Sequence, residues 1–171
     1  MADKLSPEAF VARYGPLADD IARETGLHPS FVLGQAAHES NFGNNFVGNN
    51  IFGISRNDKV VEYPDISTNA QDYVAMIKRR YSGAAKLTDP KEQARVVAML
   101  GYATDPDYHS KVSSRIDKVS AIRDEAKAPS VDDVIELAEP VLKHRMALTF
   151  AARAEGETIT NVIQRLKARI G

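Results

Sequence analysis

The chain has 171 residues, of which 43% are hydrophobic and 26% charged, and this balance excludes a disordered, fibrous or membrane-embedded protein. Its 22 basic and 23 acidic side chains give a formal net charge of -1, so no global field draws it towards nucleic acid or anionic lipid. Cysteine is absent, which excludes disulfides, thiolate catalysis and cysteine-based zinc sites.

The first seven residues, MADKLSP, lack the charged and apolar regions of a secretory signal. No later stretch is apolar enough to span a bilayer. We therefore expect synthesis in the cytoplasm without a signal peptide, and no membrane insertion.

Three helices are predicted in the first quarter of the chain. Ser6 followed by Pro7 is a typical helix start, with a capping hydroxyl and a proline in the first turn. Pro16 is expected to end that helix and to begin a second one, which closes before Gly26. The third helix is predicted over residues 29–43.

The middle of the chain mixes a loop with further helices. Residues 44–65 are rich in Asn and Gly, and a short β-like run at 59–63 predicts a small hairpin within this loop. Thr68 followed by Gln71 predicts a capped helix start. Asp-Pro pairs at 89–90 and 105–106 predict the starts of two more helices.

The composition changes near residue 126. Residues 126–129 predict a linker, because a proline follows a polar, small-residue stretch and Ser130 then begins a fresh helix cap. We therefore predict a domain over 1–125 and a helical module of three helices over 130–171. The apolar residues that predict its last helix are Val162, Ile163, Leu166 and Ile170.

Glu39 is the candidate acid of the sequence. It lies three residues after Ala36 and seven after Val32, at the edge of a predicted buried stripe in the last turn of its helix. Partial burial and the negative end of the helix dipole both raise the pKa of a carboxyl group there, as a general acid requires. By position alone, an ordinary half-exposed helix-end residue is the commoner interpretation.

Other chemistries find little support. The four histidines, at 28, 38, 109 and 144, are far apart and form no HExxH pattern, so we expect no metal site. No phosphate-binding glycine loop and no serine nucleophile elbow occurs. We therefore expect neither a metal nor an organic cofactor.

Four motifs follow one another in the chain: TGLHPS at 25–30, QAAHES at 35–40, NNIFGI at 49–54 and GYATDPDY at 101–108. In this order, over residues 8–123, they resemble the glucosaminidase domains of glycoside hydrolase family 73, which include flagellar-rod peptidoglycan hydrolases, autolysins and phage lysins. The resemblance implies a mainly α, lysozyme-like fold with a small β-hairpin beside a groove. It also implies hydrolysis of the β-1,4 bond between N-acetylglucosamine and N-acetylmuramic acid in peptidoglycan.

The resemblance also implies roles for single residues. Glu39 corresponds to the catalytic acid and Tyr102 to a tyrosine that faces the catalytic site, while Asn50 and Phe52 match a motif that shapes the cleft floor. Tyr108, like Phe52, is a candidate substrate platform. From the residues alone, both aromatic rings also suit a core, and Asn50 also suits a cap or turn of its loop.

A second carboxylate is harder to identify. Many family members carry one on a longer β-hairpin, whereas residues 54–63 of this chain offer only Asp58 and Glu62. Glu62, which we favour, or Asp58 could activate water in an inverting mechanism, and Asp58 is otherwise a candidate for substrate binding. Alternatively the acetamido oxygen of the substrate attacks, and both carboxylates are ordinary exposed hairpin charges.

The C-terminal segment shows a second resemblance. The runs DDV at 132–134, LAEPVLKHRMALTF at 137–150 and AEG at 154–156 resemble the helical lid of MoxR-type AAA+ ATPases. The ATPase core is absent, so this resemblance implies no ATP hydrolysis. Three roles stay open for residues 130–171: binding of a protein partner, packing on the hydrolase as a stabilising flap, or the record of a gene fusion.

Three functions follow from the sequence. The first is a hydrolase of the peptidoglycan glycan strand, acting at the cell wall or periplasm after export, lysis or delivery in a particle. The second is a catalytically silent wall-binding or assembly module of a phage tail or flagellar-type structure. The third is an adaptor to a cytoplasmic ATPase.

Overall fold

The computed structural model describes residues 4–127 and 158–170, and the chain divides into two compact units between Ala126 and Lys127. The described elements are α1 (Pro7–Thr25), α2 (Pro29–Glu39), β1 (Ser55–Arg56), β2 (Lys59–Val60), α3 (Ile66–Arg80), a single 3-10 turn (Ala84–Lys86), α4 (Pro90–Met99), α5 (Tyr108–Lys127) and α6 (Ile159–Ile170). The prediction of a mainly α fold with a small hairpin is confirmed.

Helix α1 starts and ends as predicted but runs through Pro16. The Ser6 side chain caps its first turn, and Gly26, with a φ of 79°, follows its last residue. The predicted break at Pro16 is wrong, although a proline inside a helix removes a backbone hydrogen bond and weakens it by about 3 kcal/mol. Buried residues from Tyr14 to Ile21 form one continuous face across the proline, and their burial keeps the helix intact.

Helix α2 is buried on all sides. Every residue from 30 to 37 is buried, and α1 and α4 both pack against this helix. Helix α5 also approaches it at Gly34, where an added methyl group would lie 2.6 Å from the Cγ1 atom of Ile116. The helix therefore forms the centre of the first unit, and only its ends reach the surface.

The end of α2 lies earlier than predicted. The Ser40 hydroxyl donates to the carbonyl oxygen of Ala36 at 2.6 Å and accepts from the amide of Gly43 at 2.9 Å. This side chain competes with the helical backbone, and the three residues at 41–43 all have positive φ. The predicted helix end at Gly43 is therefore wrong, and Glu39 is the last helical residue.

The predicted hairpin is present and very short. Strand β1 pairs antiparallel with β2, and Arg56 lies opposite Lys59. The two residues between the strands, Asn57 and Asp58, have φ values of 51° and 59°, as a two-residue type I′ turn requires. All strand residues are exposed, so hydrogen bonds of the adjoining loop must hold the hairpin in place.

The later helices start close to the predicted positions. Helix α3 begins before the Thr68–Gln71 pattern, because Asp65 is the actual cap and accepts a hydrogen bond from the Thr68 amide. Helix α4 begins at Pro90 as predicted, whereas α5 begins at Tyr108, two residues after its Asp-Pro pair.

Of the second unit, the structure describes helix α6, and the predicted last helix is confirmed. The cap at Ser130 and the first two helices predicted for this module lie outside the described residues. Residues 126 and 127, predicted as linker, are the last two residues of α5. Within the described ranges no helix is both long and apolar enough to cross a membrane.

The contact at Gly34 leads to a stability prediction. We expect Gly34→Ala to lower the free energy of unfolding by about 1–3 kcal/mol, because the added methyl group overlaps Ile116 and must push α2 and α5 apart. Gly83→Ala is the matched control: its φ is -63°, and an added methyl group meets nothing within 4 Å. Urea denaturation of both variants measures the difference, and equal stability would contradict the close packing of α2 on α5.

Candidate active site

Glu39 is held at the point where the central helix reaches the surface. Its side chain is half buried, and the Tyr108 hydroxyl, on α5, donates a hydrogen bond of 2.6 Å to its Oε1 atom. Burial raises the pKa of Glu39, and the hydrogen bond from Tyr108 opposes that rise in pKa. The carboxyl group is therefore biased towards the protonated form that a general acid needs.

The other oxygen of Glu39 lies against the loop that precedes the hairpin. An added methyl group at Gly53 would overlap Oε2 and lie 2.8 Å from the Glu39 Cδ atom, and the φ of Gly53 is 66°. Only glycine combines this backbone conformation with such a close approach. Because Gly53 is exposed while Tyr108 is buried, Oε1 is the inner oxygen and Oε2 the outer one.

Behind Tyr108, two more polar side chains continue inwards through the core. Gln35, one turn before Glu39 on α2, donates from Nε2 to the Tyr108 hydroxyl oxygen at 2.9 Å. The Tyr73 hydroxyl, on α3, donates in turn to the Gln35 Oε1 atom. Gln35 and Tyr73 are fully buried, so the carboxyl group is connected to a hydrogen-bonded chain that water does not reach.

Tyr102 and Phe52, both predicted site residues, close the space beside Tyr108. The Tyr102 hydroxyl donates to the carbonyl oxygen of Phe52 at 2.6 Å, and its ring stacks on that of Tyr108 with centroids 5.9 Å apart. The Phe52 ring is 1% exposed and stacks on Tyr73 at 4.0 Å. These contacts favour packing over an open saccharide platform for Phe52, and burial raises the pKa of Tyr102.

Asn50 organises the loop that carries Gly53. Its buried amide nitrogen donates to the carbonyl oxygens of Ile54 and Val61, both at 2.8 Å, and its Oδ1 atom accepts from the Ile54 amide at 3.0 Å. The side chain therefore ties the loop to the hairpin. These bonds favour the loop-turning interpretation of Asn50.

The two candidate second carboxylates are exposed and lie at different places on the hairpin. Asp58 is in the turn at its tip. Glu62 follows the second strand and packs against Gly48, where an added methyl group would lie 2.5 Å from the Cβ and Cγ atoms of Glu62. Glu62 therefore lies beside Gly48, while Asp58 lies in the hairpin turn.

His38 lies next to Glu39 along the chain and packs edge-on against Tyr108, with ring centroids 5.3 Å apart. Burial is the main effect that lowers the pKa of His38, and the positive charges of Arg115 and Lys111 lower this pKa further. The described parts of the chain contain no group of three His, Asp or Glu side chains placed to bind one metal ion.

Sequence reasoning missed three residues of this site: Gln35, Gly53 and Tyr73. Gln35 belongs to the QAAHES motif and lies four residues before Glu39, so helical spacing already put both on one face. Gly53 belongs to the NNIFGI motif. The sequence pattern placed Tyr73 on the apolar face of its helix and gave no sign of a polar role. The hydroxyl of Tyr73 reaches Gln35 because α3 packs against α2.

Comparison with known proteins agrees with the motifs. Residues 15–121 match the family model described as mannosyl-glycoprotein endo-beta-N-acetylglucosaminidase, which covers more than half of the chain. The family resemblance is therefore confirmed. The match ends at residue 121, and nothing in the comparisons supports the resemblance of the C-terminal segment to the MoxR-type lid.

Among curated proteins, the chain is 29% identical over 150 residues to the peptidoglycan hydrolase FlgJ of Vibrio parahaemolyticus, covering 68% of this chain and 49% of that protein. It is 25% identical to the exo-glucosaminidase LytG of Bacillus subtilis, covering 62% of this chain and 49% of that protein. The chain thus spans about half the length of these two relatives.

Among solved structures, a peptidoglycan hydrolase from Sphingomonas sp. A1 is 26% identical and has a TM-score of 0.63, with 72% of this chain and 96% of that one covered. The glycoside hydrolase domain of Salmonella typhimurium FlgJ, at 24% identity, has a TM-score of 0.61, with 71% of this chain and 92% of that one covered. The lysozyme-like fold that the resemblance implies is confirmed.

The raised pKa of Glu39 predicts a pH-dependent stability difference. Folding makes this carboxyl hold its proton more tightly, so the wild type loses stability as pH rises from the ordinary glutamate value of 4.5 towards the folded-state value. We expect Glu39→Gln, which cannot ionise, to gain free energy of unfolding relative to wild type over this pH range. Above the range the difference between the two proteins should stay constant. Urea denaturation at a series of pH values measures this difference.

The exposed residue Glu125 provides the control, because Glu125→Gln changes the same chemical group without the buried setting. The pH-dependent gain expected for Glu39→Gln is attributed to its buried setting, so a gain of the same size in Glu125→Gln would contradict that cause. A flat difference for Glu39→Gln would contradict the desolvation of the Glu39 carboxyl.

Proposed function

Because the chain belongs to the glucosaminidase family, we propose that it hydrolyses the β-1,4 bond between N-acetylglucosamine and N-acetylmuramic acid in peptidoglycan, with Glu39 as general acid. The observation that carries the proposal is the half-buried Glu39 carboxyl, with a raised pKa and one oxygen beside an exposed loop. The names of the relatives support the substrate class, since the Vibrio parahaemolyticus and Sphingomonas proteins are peptidoglycan hydrolases and the Bacillus subtilis protein is an exo-glucosaminidase.

The proposed chemistry needs one proton and one water. The outer oxygen of Glu39 donates its proton to the glycosidic oxygen as the bond from that oxygen to the sugar C1 atom breaks, and a water molecule then adds to C1. The proton that this water releases goes to a base or to solvent. A carboxyl group that stays protonated near neutral pH lowers the barrier to departure of the leaving sugar.

Two routes are compatible with the attack on C1. In an inverting route Glu62 acts as the base, and Asp58, in the turn at the hairpin tip, is the alternative. In a substrate-assisted route the acetamido oxygen of the N-acetylglucosamine unit attacks first, and the protein supplies Glu39 alone. We favour Glu62 as the second group.

The site of action that we propose is the cell wall or periplasm, reached by export, by lysis or by delivery in a particle. The glycan strand is the proposed partner of residues 1–125. For residues 130–171, most of which lie outside the described residues, we propose only that they form a separate helical module.

We expect Glu39→Gln to lose at least about a hundredfold in wall hydrolysis, because the amide cannot donate an acidic proton. Clearing of purified cell wall measures the rate.

Mass spectrometry of the products of the wild-type protein identifies the sugar at the reducing end. We expect N-acetylglucosamine there, and N-acetylmuramic acid at the reducing end would contradict the proposed bond. Equal clearing by both proteins would remove Glu39 from the mechanism, and no clearing by wild type would favour a silent wall-binding module.

The same assay tests the second carboxylate. We expect Glu62→Gln to slow wall hydrolysis by about a hundredfold if Glu62 is the base, while Asp58→Asn, a matched loss of one exposed hairpin charge, leaves the rate within about twofold. Full activity of both variants would overturn the role of Glu62 and support attack by the acetamido oxygen.

A further inference from the structure

The buried chain of Tyr73, Gln35 and Tyr108 runs from the core to Glu39 in a single direction. Tyr73 donates to Gln35, Gln35 donates to Tyr108 at 2.9 Å, and Tyr108 donates to the Glu39 Oε1 atom at 2.6 Å. Gln35 and Tyr108 thus each accept one hydrogen from behind and give one outwards. The arrangement links three helices, α3, α2 and α5, to one carboxyl oxygen.

The direction of this chain follows from the innermost hydroxyl. In the described residues, the Tyr73 hydroxyl finds its acceptor in the Gln35 Oε1 atom. If the Gln35 amide were turned over, its nitrogen would point at Tyr73 and the buried Tyr73 hydrogen would lose its acceptor. An unpaired buried donor is unfavourable by about 1–3 kcal/mol, so the amide keeps its oxygen towards Tyr73 and its nitrogen towards Tyr108.

The consequence for Glu39 concerns which oxygen carries the acid proton. With a hydrogen from Gln35 already on the Tyr108 oxygen, the Tyr108 hydrogen points at the Glu39 Oε1 atom. Oε1 then acts as an acceptor, and a protonated Glu39 must carry its hydrogen on Oε2. That oxygen lies beside the exposed Gly53, on the side where a sugar can approach.

We propose that Tyr73 and Gln35 are positioning residues that act through Tyr108 to keep the acid proton of Glu39 on the outer oxygen Oε2. This proposal rests on the proposed function of Glu39 as the acid, but it concerns two residues that touch neither the substrate nor the carboxyl group. Without them the Tyr108 hydroxyl is free to turn inwards and accept a hydrogen from Oε1, which would hold the acid proton away from the substrate.

The groups around Glu39 make its titration a suitable readout. Three tyrosines interact electrostatically with the carboxyl group: Tyr73 from α3, Tyr102 from the segment before α5, and Tyr108 from α5. The nearby charges of Lys111 and Arg115 act on His38. Because the facing tyrosines are neutral near pH 7, a change in the direction of the Tyr108 hydroxyl should register directly in the protonation of Glu39.

The experiment compares Tyr73→Phe and Gln35→Met with two matched controls. Tyr63→Phe removes another mostly buried hydroxyl, which donates to Asp72, and Gln93→Met removes another fully buried amide, which binds the His28 amide and the Leu87 carbonyl oxygen. Glu39 is titrated by its infrared carboxyl band, assigned by difference from Glu39→Gln, and the pH profile of wall hydrolysis is recorded for the same proteins.

We expect Tyr73→Phe and Gln35→Met to move the titration of Glu39, and the alkaline limb of the pH profile, upwards by about half a pH unit, because the carboxylate loses a fixed donor. At the pH optimum kcat should fall several-fold with KM unchanged. The controls should lose stability and leave the profile in place. In a Tyr108→Phe background the effect of Tyr73→Phe should vanish, because the residue through which it acts is gone.

An unchanged Glu39 titration in Tyr73→Phe, or the same shift in the controls, would overturn the positioning role even if wall hydrolysis persists. The infrared titration needs no substrate, so the two proposals can fail separately. If Tyr73→Phe shifts the titration of Glu39 while wild type and variant both fail to clear cell wall, the positioning role is supported and the proposed hydrolase activity is overturned.

Discussion

A carboxyl group placed at the surface end of a helix that is buried on all its sides is the constraint on which the rest of this site depends. Helix α2 lies between α1, α4 and α5, and its residues 30–37 are all buried. Glu39 follows directly, so it is half in the core and half outside. In full solvent it would ionise, and fully buried it could not pass its proton on.

The interior behind Glu39 shows how such a group is held in place. Glutamine amides and tyrosine hydroxyls are unfavourable in a core unless each one finds a hydrogen-bond partner. A typical hydrogen bond adds only about 1 kcal/mol to stability. In the chain from Tyr73 through Gln35 to Tyr108 every member is paired, and stacked rings of Phe52 and Tyr102 cover it. The network therefore contributes more to the geometry of the acid than to the stability of the fold.

Local signals in the sequence predicted the helices well where side chains cap the backbone. The hydroxyl of Ser6, the proline at 90 and the glycine at 26 all mark helix ends found in the structure. The two failures have different causes. At Pro16 burial of a long face outweighed a local break, and at 41–43 the Ser40 hydroxyl ended the helix before the glycine did. Competing local and tertiary effects cannot be ranked from a pattern.

By itself the sequence determined the helical class, the order of the motifs, the family and the candidate acid, because these depend on residue type and on spacing along the chain. Only the tertiary structure decided what surrounds that acid. The approach of Gly53 to Oε2, the hydrogen bond from Tyr108 to Oε1 and the tie from Asn50 to the hairpin each join segments far apart in the chain. Contacts of this kind arise from the packing of α2 against its neighbours, which no single segment encodes.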